Sequence, residues 1–194
     1  MAEIRSLCVY CGSSNRVALP HLEAAFAFGR MIGHAGIELI YGGGRVGLMG
    51  RVADGAVVEG GRVTGIIPRH LHEAEVAHEA ISELIVVESM HERKMLMAER
   101  ADAFAVLPGG FGTLDELFEI LTWRQLGLHD KPIVMIDLGG YWRPLAALID
   151  RMAAEGFVSA ANQRLLRWVE RIEDVLPAFA DEPPVPPGVA SRQL

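Results

Sequence analysis

Short runs of apolar residues alternate along this chain with longer segments in which apolar residues recur every three or four positions. The short runs have the length of buried strands, and the longer recurrence is typical of helices that pack on a sheet. The pattern predicts strands at residues 4–10, 37–41, 63–67, 84–87, 103–107, 132–138 and 165–169. It predicts helices at residues 19–35, 47–60, 113–126, 142–154 and 172–179, with a further helix beginning after Ser89. The polar segment 69–82 is predicted to be a solvated loop or a short helix.

Strands that alternate with helices in this way predict an α/β fold, with a doubly wound parallel sheet of about six or seven strands and helices on both faces. In such sheets, ligands bind beyond the carboxyl ends of the strands. Residues 1–180 fit a single domain. The proline-rich segment 181–194 cannot pack as helix or sheet, so it is predicted to be a disordered tail.

The composition favours a soluble globular protein and restricts its partners. The 194 residues are 51% hydrophobic, but no apolar run approaches the roughly 20 residues of a membrane span. The first residues lack the layout of a secretory signal, so a cytoplasmic location is expected. A formal net charge of −7 argues against nonspecific nucleic-acid binding, which depends on clustered Lys and Arg. We therefore expect a small-molecule partner whose anionic group is held by local features.

A glycine-rich turn at residues 108–112 follows the apolar run 103–107 and opens a helix. Its glycines permit close approach of the backbone to a ligand. Thr113 stands where an N-cap residue is expected, and the free N–H groups of the following helix would point at the turn. An anion such as phosphate is the natural occupant of such a site.

Glu116 allows two interpretations. Thr113 and Glu116 have the spacing of a capping box, so Glu116 can serve only to hold the helix start. An acid at this position also faces the glycine turn, where it could orient a water or stabilise a cationic sugar. Arg93, on the preceding helix, is likewise either a solvated residue or a fork-like contact to phosphate or sugar.

Gly42, Gly44 and Gly47 satisfy the dinucleotide-binding fingerprint, which makes an NAD-linked oxidoreductase an alternative. That fingerprint normally follows the first strand, and an acid is expected at the end of the next strand. Here the glycines follow the second strand, and the third ends without an acid. Both features weaken the alternative.

Other chemistries find less support in the sequence. A pyridoxal-phosphate decarboxylase requires a lysine for the Schiff base, and Lys94 and Lys131 are the two lysines available. Cys8 and Cys11 have a CxxC spacing, but residues three apart on a strand point to opposite faces, too far apart for a disulfide. No second CxxC or suitably spaced His pair completes a zinc site.

Four segments together resemble the LONELY GUY (LOG) family of cytokinin riboside 5′-monophosphate phosphoribohydrolases, many of which carry the label lysine decarboxylase. The segments are residues 41–50, residues 89–94 with the MHxRK pattern, residues 108–116 with the PGGxGTxxE pattern, and residues 122–127. The resemblance implies a Rossmann-like fold, a homodimer with active sites near the subunit contact, and hydrolysis of the N-glycosidic bond of AMP or its N6-substituted forms. We expect this reaction to require no cofactor and no metal. A nucleotide-binding module without catalytic activity remains the alternative.

Carried over residue by residue, the resemblance implies that Arg93 and Glu116 are the catalytic pair. Contacts to a nucleoside monophosphate are expected from Ser13, Gly43, Gly44, Glu75, Met90, Lys94, Gly109, Gly110, Phe111, Gly112, Thr113 and Thr122.

Overall fold

A computed structural model describes residues 4–74 and 77–180. The strands are Ser6–Tyr10 (β1), Glu38–Tyr41 (β2), Val63–Pro68 (β3), Glu83–Val87 (β4), Ala103–Val106 (β5), Ile133–Ile136 (β6) and Leu166–Val169 (β7). The α-helices are Leu19–His34 (α1), Gly47–Val58 (α2), Arg69–Ala74 (α3), Met90–Arg100 (α4), Phe111–Gln125 (α5), Arg143–Ala154 (α6), Ala160–Gln163 (α7) and Val175–Ala180 (α8). Glu75 and the predicted tail 181–194 lie outside the described residues.

The seven strands form one parallel sheet in the order β4-β3-β2-β1-β5-β6-β7. The chain builds outward from β1 to β4 and then returns to add β5 on the other side of β1, where Tyr10 pairs with Val106. The order of the strands therefore reverses between β1 and β5. In open α/β sheets, the crevice beyond the carboxyl ends of the strands at such a reversal is the usual ligand site.

Helices cover both faces of the sheet, as the sequence predicts. One buried cluster joins the sheet to α1, α2 and α8, with Phe28 and Val52 among its members. The other joins the opposite face to α4 and α5, with Met97 and Leu117 among its members. Gly29 lets α1 approach α2 closely, because a Cβ at this position would lie 2.0 Å from the carbonyl oxygen of Val52.

The prediction that Thr113 caps α5 is wrong. Gly110 is the N-cap, the helix begins at Phe111, and Thr113 is its buried third residue. The Leu114 N–H donates to the Gly110 carbonyl at 3.1 Å, so the first helical turn closes three residues earlier than the side-chain preference of Thr113 indicates. Glu116 is consequently the sixth residue of the helix, and the predicted capping box does not form.

The remaining differences are local. Segment 69–82 contains the short helix α3, one of the two predicted outcomes, and α7 is a short helix that the apolar pattern did not indicate. Ser89 caps α4 as predicted, since its Oγ accepts from the Glu92 N–H at 3.1 Å. Within the described ranges, no helix has the length and apolar character needed to cross a bilayer.

Candidate active site

A cavity of about 560 Å³ opens at the carboxyl ends of β1 and β5, where the strand order reverses. Its walls come from the loop after β1, the turn before α5, and the first residues of α1, α2, α4 and α5. Among the predicted site residues, Ser13, Met90, Arg93, Gly109, Gly110, Phe111, Gly112, Thr113 and Glu116 line it. The fold thus brings together residues that are more than 100 positions apart in the chain.

The turn at residues 108–113 presents an open helix start to this cavity. No side chain caps α5, and the N–H groups of Phe111, Gly112 and Thr113 have no acceptor within the part of the chain that the structure describes. The turn is anchored from behind, because the Gly12 N–H donates to the Pro108 carbonyl at 3.0 Å. Unpaired N–H groups at the positive end of a 15-residue helix form a site suited to phosphate.

Arg93 lies on the first turns of α4 and is 5% exposed. Its Nε donates to the Ile66 carbonyl and its Nη2 to the Gly42 carbonyl, each at 3.1 Å, so two strand ends hold the guanidinium in place. Gly42 must be a glycine for this arrangement, since a Cβ there would lie 2.0 Å from Nη2. Nη1 donates to the Met90 sulfur at 3.7 Å, and Arg93 also lines the cavity.

Glu116 faces Arg93 from α5 and is equally buried, with 3.9 Å between Oε1 and Arg93 Nη2. Burial raises the pKa of this carboxyl to about 7, an effect that the nearby guanidinium only partly opposes. A carboxyl group with this pKa is substantially ionised near neutral pH and is still basic enough to take a proton. Burial together with a specific charged partner in a cleft is typical of catalytic groups.

The thiols of Cys8 and Cys11, near Glu116, are expected to be unreactive. Cys11 lines the cavity and Cys8 lies in β1, and both are free and fully buried. Burial and the charge of Glu116 raise the pKa of each thiol above its ordinary value, so neither is a thiolate nucleophile.

Four of the predicted contacts lie away from the cavity. Lys94 of α4 forms ion pairs with Asp115 and Glu119 of α5, and its Nζ lies 3.1 Å from a carboxylate oxygen of each. Thr122 is exposed and donates to the carbonyl one turn back in its own helix, that of Phe118. These two residues therefore have roles within or between helices in this chain.

Gly43 and Gly44 are likewise placed behind the cavity wall. Gly43 has a φ of +78° and packs on β3, where a Cβ would lie 3.1 Å from the Cβ of Ile67. Gly44 forms an antiparallel bridge with Ala77. Both glycines serve the packing of this turn, and neither is among the cavity-lining residues that the structure describes.

The N–H groups that a dinucleotide phosphate would need at α2 are already paired. The Gly47 N–H donates to Asn15 Oδ1 at 2.8 Å, and the Leu48 N–H donates to the Gly12 carbonyl at 2.9 Å. A Cβ at Gly47 would lie 2.5 Å from the Ser14 nitrogen, so this glycine admits the β1 loop rather than a ligand. The match of this segment to the dinucleotide-binding fingerprint is therefore explained by packing of the loop after β1 against the start of α2.

Sequence reasoning missed several residues of the cavity wall, among them His21, Leu48, Met49, Leu71 and Tyr141. Tyr141 follows β6, and its hydroxyl donates to the Gly109 carbonyl at 2.6 Å. The carboxyl ends of parallel strands share one edge, and Gly139 and Gly140 precede this tyrosine. The sequence could therefore have predicted that the loop after β6 also reaches the site.

A parallel sheet whose order reverses beside an open helix start defines a doubly wound α/β protein of the Rossmann type. Two solved structures share this fold. The molybdenum cofactor binding protein of Rippkaea orientalis matches with a TM-score of 0.70 and 20% identity, over 93% of this chain and 98% of that one. The molybdenum cofactor carrier protein of Chlamydomonas reinhardtii matches with a TM-score of 0.71 and 20% identity, over 92% and 97%. Identities this low show the fold alone.

Sequence comparison gives the family. A family model described as "Possible lysine decarboxylase" matches residues 49–179. Cytokinin riboside 5′-monophosphate phosphoribohydrolase LOG1 of Arabidopsis thaliana is 39% identical over 99% of this chain and 90% of its own length. LOG2 of the same plant is 44% identical over 93% of this chain and 88% of its own length. The probable phosphoribohydrolase LOGL1 of Oryza sativa is 45% identical over 82% and 72%. The chain belongs to the LOG family.

Proposed function

We propose that this protein hydrolyses the N-glycosidic bond of nucleoside 5′-monophosphates, either cytokinin riboside 5′-monophosphates, AMP or both. The products are the free base and ribose 5-phosphate, which makes the protein an AMP nucleosidase-like phosphoribohydrolase. The observation that carries this proposal is the buried pair of Arg93 and Glu116 in a cavity that also contains an uncapped helix start. The names of the LOG relatives support the same reaction class.

The open N-terminus of α5 is the phosphate site in this proposal. The N–H groups of Phe111, Gly112 and Thr113 supply donors, and the helix dipole supplies partial positive charge. Ser13 lines the cavity from the facing loop, and the Arg93 guanidinium, which also lines the cavity, adds a fixed positive charge. A local arrangement of this kind is what a chain of net charge −7 needs to hold a dianion.

The chemical step then falls to Arg93 and Glu116. As the bond from C1′ to the base nitrogen lengthens, positive charge develops on the sugar, and the ionised Glu116 stabilises that charge. Water adds to C1′ and its proton passes to the Glu116 carboxylate, while the base leaves with the electron pair of the broken bond and takes up a proton from solvent. Release of the proton from Glu116 to solvent then restores the carboxylate. The two strand-end carbonyls that hold Arg93 keep the phosphate and ribose oriented relative to this carboxylate.

The apolar part of the wall suits the base. Leu48, Met49 and Leu71 line the cavity and offer surface to a purine ring and to an apolar N6 substituent. Both proposed substrate types fit this description, since each contains the same ring and the same phosphate.

The test is base release from AMP and from N6-isopentenyl AMP by the wild type and by Glu116→Gln. Glutamine is close in size but cannot accept the proton, so we expect a loss of at least a hundredfold. Glu99→Gln, the same change at an exposed position of α4, is the matched control and should retain wild-type activity. Equal activity of Glu116→Gln and the wild type would overturn the catalytic role.

Two other functions compete less well. A pyridoxal-phosphate decarboxylase needs a lysine in the site, but Lys94 pairs with two carboxylates and Lys131 Nζ donates to the Ala98 carbonyl at 2.7 Å. A binding module that holds the nucleotide without cleaving it would account for the phosphate site. It would leave unexplained a buried acid whose pKa is about 7 beside an arginine.

The family resemblance also leads us to propose a cytoplasmic homodimer, with residues 1–180 as one domain. The half-exposed side chain of Met95 on α4 is compatible with a subunit contact beside the site. Light scattering after size exclusion tests the dimer, and a mass of one chain at micromolar concentration would contradict it.

A further inference from the structure

Tyr141 is placed where it can control the phosphate-binding turn. It comes from the loop after β6, where Gly139 and Gly140 adopt φ values of +63° and +80°. The loop is fixed by the Trp142 N–H, which donates to Asp137 Oδ1 at 2.6 Å. From there the Tyr141 hydroxyl reaches the Gly109 carbonyl, 32 residues earlier in the chain, at 2.6 Å.

The rest of the loop gives the Tyr141 ring a defined position at the cavity wall. It packs edge-on against Trp142, with ring centroids 4.8 Å apart, and edge-on against His21 of α1 at 5.9 Å. Both Tyr141 and His21 line the cavity. The hydroxyl is therefore held at this side of the turn by contacts with two other elements.

Gly109 occupies the critical position in the turn. Its carbonyl belongs to the same peptide plane as the N–H of Gly110, the N-cap of α5, and in a trans peptide these two groups point in opposite directions. Two successive glycines allow this plane to rotate easily. Since Tyr141 binds the carbonyl, it fixes the direction of the Gly110 N–H and removes a carbonyl lone pair that would repel an anion.

The other side of Gly109 is also constrained. A Cβ there would lie 2.0 Å from Thr113 Oγ1, so the glycine packs directly on the side chain of the third residue of α5. The residue before Gly109 is held by a hydrogen bond from the Gly12 N–H to the Pro108 carbonyl. Tyr141 supplies the one side-chain hydrogen bond to this turn among the described residues.

We propose that Tyr141 is a positioning residue for phosphate, acting through its hydrogen bond to the Gly109 carbonyl and not through contact with the reacting bond. This inference rests on the proposed function for the identity of the nucleotide substrate. It adds the prediction that the hydroxyl governs binding of the phosphate group specifically and leaves the chemistry of Glu116 unchanged.

The experiment compares the wild type with Tyr141→Phe, which keeps the ring and removes the hydroxyl. The loss of one neutral hydrogen bond corresponds to a change of about three- to tenfold in a binding constant. We expect the KM for the nucleoside 5′-monophosphate and the Kd for inorganic phosphate both to rise by this factor, with kcat within about twofold. The slow cleavage of the corresponding nucleoside, which lacks the phosphate, should not change.

Tyr41→Phe is the matched control, because the Tyr41 hydroxyl is buried and has no hydrogen-bond partner in the described part of the chain. It should leave the Kd for phosphate unchanged. Unfolding midpoints of both variants show whether the fold is retained, and phosphate binding measured by calorimetry does not depend on turnover.

The outcomes separate this inference from the hydrolase proposal. An unchanged Kd for phosphate in Tyr141→Phe, or an equal loss with nucleotide and nucleoside, overturns the positioning role while leaving the hydrolase proposal in place. Tighter phosphate binding by the wild type than by Tyr141→Phe, without base release by either, supports the positioning role and refutes hydrolysis.

Discussion

Replacement of Glu116 by glutamine should make the protein more stable above neutral pH as well as inactive. The carboxyl is almost completely buried, and its closest charged partner, Arg93 Nη2, lies 3.9 Å away. Burial raises its pKa from 4.5 to about 7 in the folded state. The folded protein therefore binds this proton more tightly than the unfolded chain, and stability is lost as the pH rises from about 4.5 through 7.

The size of the effect follows from this difference in pKa. Each pKa unit corresponds to about 1.4 kcal/mol, so ionisation of Glu116 in the folded state costs about 3 kcal/mol at pH 8. Glutamine stays neutral and avoids this cost, which is a net value because the pKa of about 7 already includes the attraction to Arg93. We expect Glu116→Gln to gain between about 1 and 3 kcal/mol at pH 8. The gain should fall below about 0.5 kcal/mol at pH 4.5, where Glu116 is protonated in the folded protein and only about half ionised in the unfolded chain.

Urea unfolding at pH 8 and at pH 4.5 measures these differences, provided that the m-value is the same for both proteins. Glu99→Gln makes the same substitution at an exposed site and should change stability by less than about 0.5 kcal/mol. A variant that is less stable than the wild type at pH 8, or a gain that does not depend on pH, would refute the conclusion that Glu116 is an acid with a raised pKa.

The other predictions concern the same cavity. The value of kcat/KM should rise with pH and level off above about 7, because Glu116 of the free enzyme must be ionised to accept a proton; a profile that falls between pH 6 and 8 would contradict this role. Gly42→Ala should lower kcat/KM at least tenfold and stability by about 1–3 kcal/mol, because the new methyl group displaces the Arg93 guanidinium. Gly112→Ala, where a Cβ meets open space, is the control for stability in urea unfolding. Cys8 and Cys11 should resist a thiol reagent in the native protein and react once it is unfolded in urea, and fast native labelling of either would show that the thiol is accessible.

The alternation of apolar runs and helical segments was sufficient to predict the strands and the two helical layers. The same reasoning could not give the order of strands, because that order depends on where the chain returns after β4. The return places β5 beside β1, and this pairing creates the crevice. The resemblance to the LOG family predicted Arg93 and Glu116 as the catalytic pair, and the structure places their side chains 3.9 Å apart.

The differences between expectation and structure in this region have a common physical origin in tertiary contacts. Thr113 has a side chain that favours an N-cap, but the turn closes on Gly110, so the helix starts earlier. Lys94 follows Arg93 in sequence and yet points to the carboxylates of α5, because neighbouring residues on a helix are about 100° apart. The contact of Tyr141 with the Gly109 carbonyl joins two loops that are distant in the chain, so the sequence could indicate the loop after β6 but not this hydrogen bond.

The most direct test of the account is an assay of both products after incubation of the wild type with AMP and with N6-isopentenyl AMP. Hydrolysis of the N-glycosidic bond predicts that free base and ribose 5-phosphate appear in equal amounts from at least one nucleotide. The same nucleotide should bind with an affinity that inorganic phosphate weakens by competition. Binding of both nucleotides without release of base, or release of inorganic phosphate in place of ribose 5-phosphate, would contradict the assignment of this cavity as a phosphoribohydrolase site.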